Sequence, residues 1–271
     1  MWLRSHVIGG KISMIDIKEA FKTRKAFIPF ITGGDPDLDT TKKVLLTLQD
    51  AGADLVEIGI PFSDPMAEGP VIQDADERAL ANGCTTDLLM DAIAEIASSM
   101  HIPMVFMTYM NPIYTYGKEK FMQRCKEIGI SGVIVPDVPF EERAELSEAC
   151  EKYGIAQIAM VAPTSEERIQ TIAKTSEGFL YCVSSLGVTG VRNEITSDVG
   201  SMVGKAHEAS DIPCCIGFGI SNPEQAAKMA AVSDGVISGS AIVRIVGEHG
   251  KDCVEPVREF VKSMADAVHT A

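Results

Sequence analysis

The sequence lacks the features that define several other classes of protein. It has seven cysteines, an odd and scattered set without a C-x-x-C pair, so neither a disulfide framework nor a zinc motif is indicated. No apolar run is long enough to span a bilayer, so we expect no membrane segment. The formal net charge of -14 leaves no basic surface for nucleic acid or anionic lipid. The expectation is a protein of a reducing, cytoplasmic compartment.

Two enzyme motifs are missing as well. No G-x-G-x-x-G follows the first apolar run, as it would in most dinucleotide-binding sheets. No nucleophile-elbow pattern is found, which disfavours acyl transfer. Histidines and cysteines show no metal-ligand spacing, so the sequence predicts neither a metal nor another cofactor.

The chain does contain a repeated module, in which a short apolar run is followed by turn residues and then by an amphipathic stretch. The predicted strands are 26–31, 55–58, 104–109, 132–135, 156–161, 178–182, 214–217 and 235–237. The predicted helices are 39–51, 71–81, 86–99, 118–127, 140–152, 166–174, 199–208, 223–231, 241–246 and 254–268. Eight alternating units predict an α/β protein with a single (β/α)8 TIM barrel and extra helices. An open doubly wound sheet is the alternative.

We expect one barrel domain over residues 14–271, preceded by a disordered extension over residues 1–13, because a second plausible start lies at Met14. In such barrels the active site lies at the carboxyl ends of the strands. We therefore expect the functional residues just after each strand.

The second strand carries an acidic residue where one is costly. Side chains alternate along a strand, so Leu55, Glu57 and Gly59 share the face predicted to point into the barrel. A carboxylate there requires a partner. No basic residue lies at a strand end, which favours a general acid or base over a structural ion pair.

Further polar residues follow the next strands. The loop 60–70 offers Ser63, Asp64 and Glu68, and a second carboxylate here could share proton transfer with Glu57. By strand parity, Met107, Tyr109 and Asn111 would share one face, with Met107 as core and the other two as hydrogen-bonding groups at the catalytic rim. Asp137 follows the fourth strand, where a turn cap and a functional role are equally compatible with the sequence.

Glycine-rich loops follow the last three strands. They contain Gly187 to Gly190, Gly217 to Ser221, and Ser238 to Ser240, which opens a helix. Glycine lets backbone N–H groups approach an anion, and a helix N-terminus adds partial positive charge. Since barrels of this kind bind phosphate with the loops after strands seven and eight, a small phosphorylated substrate is predicted.

These segments resemble the tryptophan synthase alpha-subunit family. The strings that carry the resemblance are FIPFITGGDP at 27–36, LVEIGIPFSDP at 55–65, EGP at 68–70 with Gln73, GVTG at 187–190, GFGISNPE at 217–224 and ISGSAI at 237–242. The similarity extends from about residue 15 to the last helix. The PFSDP string with its preceding glutamate is the most specific.

The resemblance implies cleavage of indole-3-glycerol phosphate to indole and glyceraldehyde 3-phosphate without a cofactor, in an alpha2-beta2 complex with a beta subunit. Glu57 would protonate indole C3, and the second carboxylate would take the indole N–H proton. The implied substrate-binding residues are Phe30, Met107 and Tyr181 for the indole, Gly190, Gly219, Gly239 and Ser240 for the phosphate, and Thr189 in a closing loop, with Phe218 beside Gly219.

Two departures from the family pattern matter. Glu68 stands where the family has Asp, so its carboxylate reaches about 1–1.5 Å further, and Ser185 stands where many relatives carry Arg. A shift of about 1 Å can cost about 100-fold in rate. The alternative is therefore a weakened subunit that binds the phosphate ester and regulates beta. A different phosphate-binding barrel, an isomerase or synthase, is disfavoured because strand-end lysines are missing.

Overall fold

The computed structural model describes residues 12–183, 195–217 and 219–271. Its eight strands form one closed parallel barrel in which each strand pairs with the next and β1 pairs with β8. The strands are β1 Ala26–Thr32, β2 Val56–Gly59, β3 Met104–Met107, β4 Ile130–Ile134, β5 Ala156–Val161, β6 Leu180–Val183, β7 Cys214–Gly217 and β8 Gly235–Ser238. The predicted TIM barrel is therefore confirmed, and the open sheet is wrong.

The helices of the described residues pack around the barrel. They are α1 Leu38–Asp50, α2 Pro70–Ala81, α3 Thr86–Ile96, α4 Met110–Tyr116, α5 Lys118–Glu127, α6 Ala144–Tyr153, α7 Glu166–Thr175, α8 Ile195–His207, α9 Pro223–Ala230, α10 Ser240–His249 and α11 Val254–His269. A 3-10 helix, Ile17–Phe21, precedes β1.

Alternation along the strands separates two hydrophobic layers. The inner layer contains one or more residues from each strand or its start, among them Ile28, Leu55, Val105, Ile134, Ile158, Tyr181, Cys215 and Ile237. The outer layer, under the helices, contains Val56, Ile58, Phe106 and Val133 among many others. The face assignment predicted for β2 is confirmed, because Leu55 lies inside and its neighbours Val56 and Ile58 lie outside.

The third module differs from its prediction. The strand predicted to reach residue 109 ends at Met107, and α4 follows, a helix that the sequence did not predict. The carboxylate of Asp137 accepts hydrogen bonds from the Met110 amide at 2.9 and 3.1 Å. This long-range cap stabilises a helix start that local sequence does not encode, since Asn111-Pro112 is typical of a turn.

Within the described ranges, no helix is both long and apolar enough to cross a membrane. All seven cysteines are buried free thiols.

A buried carboxylate ties the two ends of the barrel domain together. Asp54, 9% exposed, precedes β2 and accepts from Arg24 at 2.8 and 3.0 Å and from the Phe27 amide at 2.9 Å. The ring of His269, at the end of α11, lies 2.7 Å from the same carboxylate. Asp54 thus joins the start of the barrel to its last helix.

We expect Asp54→Ala to lower the free energy of unfolding by about 3 kcal/mol, because it leaves a buried amide, an arginine and a histidine without their acceptor. Urea denaturation measures the change. Asp50→Ala, an exposed residue at the end of α1, is the control and should shift stability by less than about 0.5 kcal/mol. Equal stabilities of the two variants would contradict the role assigned to Asp54.

Candidate active site

Glu57 lies inside the barrel on β2 and is 1% exposed. In the sheet register its neighbours are Phe30 on β1 and Val105 on β3. Burial raises the pKa of Glu57 to about 8, and the charge of Glu68 adds to the rise. Its Oε2 atom has no hydrogen-bond partner among the described residues. At neutral pH the side chain therefore holds a proton that it can donate.

No cation neutralises this carboxyl in the part of the chain that the structure describes. Arg78 of α2 binds both carboxylate oxygens of Asp35 at 2.9 and 2.8 Å. Asp35 is itself buried after β1. The charge of Arg78 is therefore paired with Asp35.

Glu68 lies half-buried in the loop 60–69 between β2 and α2. Burial raises its pKa to about 7, the amides of Glu68 and Ala67 oppose the rise, and the charge of Asp137 adds to it. The Tyr109 hydroxyl donates to its Oε2 atom. Two carboxyls with pKa values near neutrality thus occupy the same end of the barrel, an arrangement suited to proton exchange.

Tyr109 organises the loop that carries Glu68. Its hydroxyl accepts from the amides of Met66 at 3.0 Å and Ala67 at 2.8 Å, and its ring packs against Phe62 with centroids 5.3 Å apart. The hydroxyl predicted to contact a substrate is therefore engaged by the protein. Asp137, which caps α4, holds the segment after Tyr109 in place.

Asn111 and the other polar residues of the loop lie apart from this arrangement. Because β3 ends at Met107, the strand parity that placed Asn111 at the rim does not apply. Asn111 is exposed on α4 and accepts from Thr115 at 3.2 Å. Ser63 and Asp64 are exposed and hydrogen-bond to each other.

Apolar side chains form the wall around Glu57. Met107 packs both against the cluster that contains Phe30 and against the inner layer that contains Tyr181. Glycines leave the space that these rings fill. A Cβ atom added at Gly59 would lie 2.7 Å from Phe30 Cζ, and one added at Gly217 would overlap the Tyr181 ring. Burial raises the pKa of Tyr181 well above its ordinary range, so its hydroxyl stays neutral.

The loops after β7 and β8 meet at the same end. Ser238 Oγ donates to the Ile220 carbonyl at 2.8 Å, which joins the two loops. Gly219 has a φ of 76°, a conformation that favours glycine. Gly239 caps α10 and lies against Phe30, and Ser240 begins the helix with its side chain exposed. Free amides at a helix start can bind an anion.

Some predicted residues cannot be placed. Thr189, Gly190 and Phe218, together with Ser185, lie outside the described residues.

Sequence reasoning missed Asp76, which is 6% exposed on α2. Burial raises its pKa to about 8, the charges of Glu68 and Asp35 add to the rise, and the Phe62 amide opposes it. The sequence does contain a signal for its burial, because Asp76 shares the buried face of the predicted helix with Ala75 and Ala79. A third carboxyl with a raised pKa therefore lies beside the loop of Glu68.

A cavity of about 470 Å3 opens beside the carboxyl pair, between the ends of β4, β5 and β6. Its lining residues include Ala67, Ile158 and Val183 together with Arg143 and Arg168. Arg168 is paired with Glu141, and Arg143 donates to the Thr175 carbonyl at 2.7 Å.

A closed parallel barrel with two neutral-range carboxyls, an apolar wall and a helix start at its carboxyl end defines a TIM-barrel enzyme of acid–base chemistry. The sequence model described as "Tryptophan synthase alpha chain" matches residues 17–269. The chain belongs to that family.

Individual relatives agree with the family match. The chain is 45% identical over 255 residues to the tryptophan synthase alpha chain of Caldanaerobacter subterraneus subsp. tengcongensis, covering 93% of this chain and 97% of the relative. The Legionella pneumophila tryptophan synthase subunit alpha has a TM-score of 0.82 at 36% identity, covering 91% and 94%. A chain of the tryptophan synthase a2b2 complex of Pyrococcus furiosus has a TM-score of 0.82 at 35% identity, covering 90% and 99%.

The pKa of Glu57 makes stability depend on pH. A carboxyl whose pKa rises from 4.5 to about 8 on folding favours the folded state below about pH 4.5 and loses that contribution as pH rises through about 8. Glu57→Gln cannot ionise. We therefore expect its stability relative to the unsubstituted protein to improve on the order of 3 kcal/mol between about pH 5 and about pH 9.

Urea denaturation of both proteins at the two pH values measures this gain. Glu248→Gln, at an exposed position on α10, is the matched control and should show none. A constant difference between the Glu57→Gln variant and the unsubstituted protein would mean that Glu57 ionises normally.

Proposed function

We propose that Glu57 and Glu68 carry out in this chain the reaction of its family, the cleavage of indole-3-glycerol phosphate to indole and glyceraldehyde 3-phosphate. One observation carries the assignment of roles. Glu57 is a buried carboxyl without a cationic partner in the described residues, held in its acid form inside an apolar wall. A group that must protonate a carbon at neutral pH needs such an environment.

A single group, Glu57, can carry out both the proton donation and the proton removal that the reaction requires. Glu57 donates its proton to indole C3, and the ring becomes an iminium cation. The carboxylate left behind can take the proton of the glycerol hydroxyl next to the bond that breaks. The electrons of the broken C–C bond then restore the aromatic ring, a carbonyl forms, and Glu57 is protonated again.

Glu68 acts on the indole nitrogen. Its carboxylate accepts the indole N–H and stabilises the positive ring after C3 is protonated. The Tyr109 hydrogen bond and the amide contacts of Tyr109 fix the position of this longer side chain. This support favours a working base over the alternative of a binding-only subunit.

The substrate would lie between the apolar wall and the joined loops. Phe30, Met107 and Tyr181 would contact the indole ring, and Gly219, Gly239 and Ser240 would offer backbone and hydroxyl donors to the phosphate. Thr189, Gly190 and Phe218 stay assigned by resemblance alone. Since the protein is strongly acidic, these local donors rather than the overall field would hold the phosphate. Asn111 and Asp137 would act from the edge, Asp137 by capping α4.

We also infer an alpha2-beta2 assembly with a tryptophan synthase beta subunit, as named for the Pyrococcus furiosus complex. Met66, 78% exposed on the loop of Glu68, and Tyr114, 72% exposed on α4, are large apolar surfaces near the catalytic end. Their burial by a partner would stabilise the loop that holds Glu68. We further infer a barrel domain over residues 14–271 that follows an N-terminal extension over residues 1–13. We also infer a cytoplasmic location, in which the thiols stay reduced.

Indole release from indole-3-glycerol phosphate tests the acid. We expect Glu57→Gln to lower kcat by about 100-fold to 10,000-fold, with and without an added beta subunit, because the amide has no proton to transfer. Binding of the phosphate ester should persist. Glu248→Gln serves as the control with unchanged turnover. Near-normal kcat in Glu57→Gln would remove Glu57 from the mechanism.

The position of the second carboxylate is tested by Glu68→Asp. The shorter side chain withdraws from the Tyr109 hydroxyl, so we expect kcat to fall about 10-fold to 100-fold. Tyr109→Phe should lower kcat in the same direction because it releases the same carboxylate. If Glu68→Asp is as fast as the unsubstituted protein, the loop and not the Tyr109 contact sets the carboxylate position.

A further inference from the structure

Three ligand-bearing side chains converge at the end of the barrel opposite the carboxyl pair. His207 ends α8, Cys214 begins β7, and Asp234 directly precedes β8. The ring nitrogen, the thiol sulfur and a carboxylate oxygen all lie within 4.8 Å of one another. The spacing of His207, Cys214 and Asp234 in the sequence matches no metal-binding motif.

Backbone and side-chain contacts hold two of the three in place. Asp234 Oδ2 accepts from the Cys214 amide at 2.8 Å, and the Asp234 amide donates to the Cys214 carbonyl at 2.9 Å. His207 Nε2 lies 2.8 Å from the same carboxylate oxygen. The His207 side chain is 41% exposed and the Asp234 side chain is 39% exposed, whereas Cys214 is buried. A cation from solvent can therefore reach the group from the side of His207 and Asp234.

The spacing is close to that of a metal centre. Zinc binds nitrogen at about 2.0–2.1 Å, thiolate at about 2.3 Å and carboxylate at about 2.0–2.2 Å, so tetrahedral ligands lie about 3.3–3.8 Å apart. Movements of about 1 Å by the exposed histidine and the carboxylate would bring the three atoms to these separations.

Neighbouring cations do not compete for the carboxylate. Lys25 directs its ammonium to the carbonyls of Ala230 and Ser233, the latter at 3.0 Å. Lys205, on α8, lies 3.6 Å from Glu166. Among the ion pairs of residues 12–183, 195–217 and 219–271, Asp234 has His207 as its partner. No lysine in these ranges therefore neutralises the Asp234 carboxylate.

We propose that His207, Cys214 and Asp234 form a zinc-binding site with water as the fourth ligand. Sulfur and imidazole ligands favour Zn2+ over the oxygen-seeking Mg2+ and Ca2+. On binding, the Cys214 thiol gives up its proton and its sulfur bonds to the metal. The ion would cross-link α8, β7 and β8 at the strand-start end of the barrel, where stabilising features rather than catalysis are expected.

Cobalt(II) titration of the chelator-treated, reduced protein tests the proposal. We expect one equivalent of Co2+ to produce thiolate-to-cobalt absorption, and Zn2+ to abolish it by displacement. Cys214→Ser should lose the band, and His207→Ala should bind at least about tenfold more weakly. Cys253→Ser and His101→Ala, a buried cysteine and an exposed histidine elsewhere, are the matched controls and should behave like the unsubstituted protein.

A second measurement is independent of the spectrum. Zn2+ at about 100 times the Kd of the unsubstituted protein should raise its Tm by about 5 °C, and should raise the Tm of His207→Ala by about half as much or less. If Cys214→Ser does not fold, His207→Ala decides, because its side chain is exposed. The proposal is overturned if no thiolate band forms at one equivalent, if the band persists in Cys214→Ser, or if His207→Ala binds as tightly as the control.

Discussion

The carboxyl of Glu57 is enclosed by the barrel without a cation to neutralise it among the described residues, and the rest of the site depends on this constraint. Because water is excluded, the acid form is favoured and the pKa rises to about 8. Phe30 and Met107 maintain the low polarity around it. Burying the Glu57 carboxyl lowers the stability of the fold. The same burial keeps this side chain protonated, and therefore able to donate a proton, at neutral pH.

The second carboxylate, Glu68, is held in place by hydrogen bonds that connect three loops. Asp137, after β4, caps α4. The hydroxyl of Tyr109, just before α4, accepts hydrogen bonds from two amides of the loop 60–69 and donates one to Glu68. A glutamate can thus occupy a position where the family pattern has aspartate, because the tyrosine fixes its longer side chain. Asp76 adds a further buried carboxyl next to this loop, and the charge of Glu68 contributes to its raised pKa.

The barrel and the inward position of Glu57 could be predicted from the sequence for physical reasons that are local. Strand parity placed Leu55 and Glu57 inside, and the structure agrees. Long-range contacts were not predictable. The cap from Asp137 stabilises the start of α4, and the strand end at Met107 removes the parity on which Asn111 was placed. The cluster of His207, Cys214 and Asp234 also arises only when three distant segments meet. The burial of Asp76 could have been predicted, because the helical period places it on the apolar face of α2.

The protonation state of Glu57 is the central claim, and carbon-13 NMR of glutamate-labelled protein measures it most directly. The Glu57 carboxyl signal is assigned as the resonance that disappears in Glu57→Gln. We predict a protonated carboxyl at pH 7 that titrates with a pKa of about 8. A carboxylate that is already ionised at pH 7, with a pKa in the ordinary range of glutamate, would contradict the account.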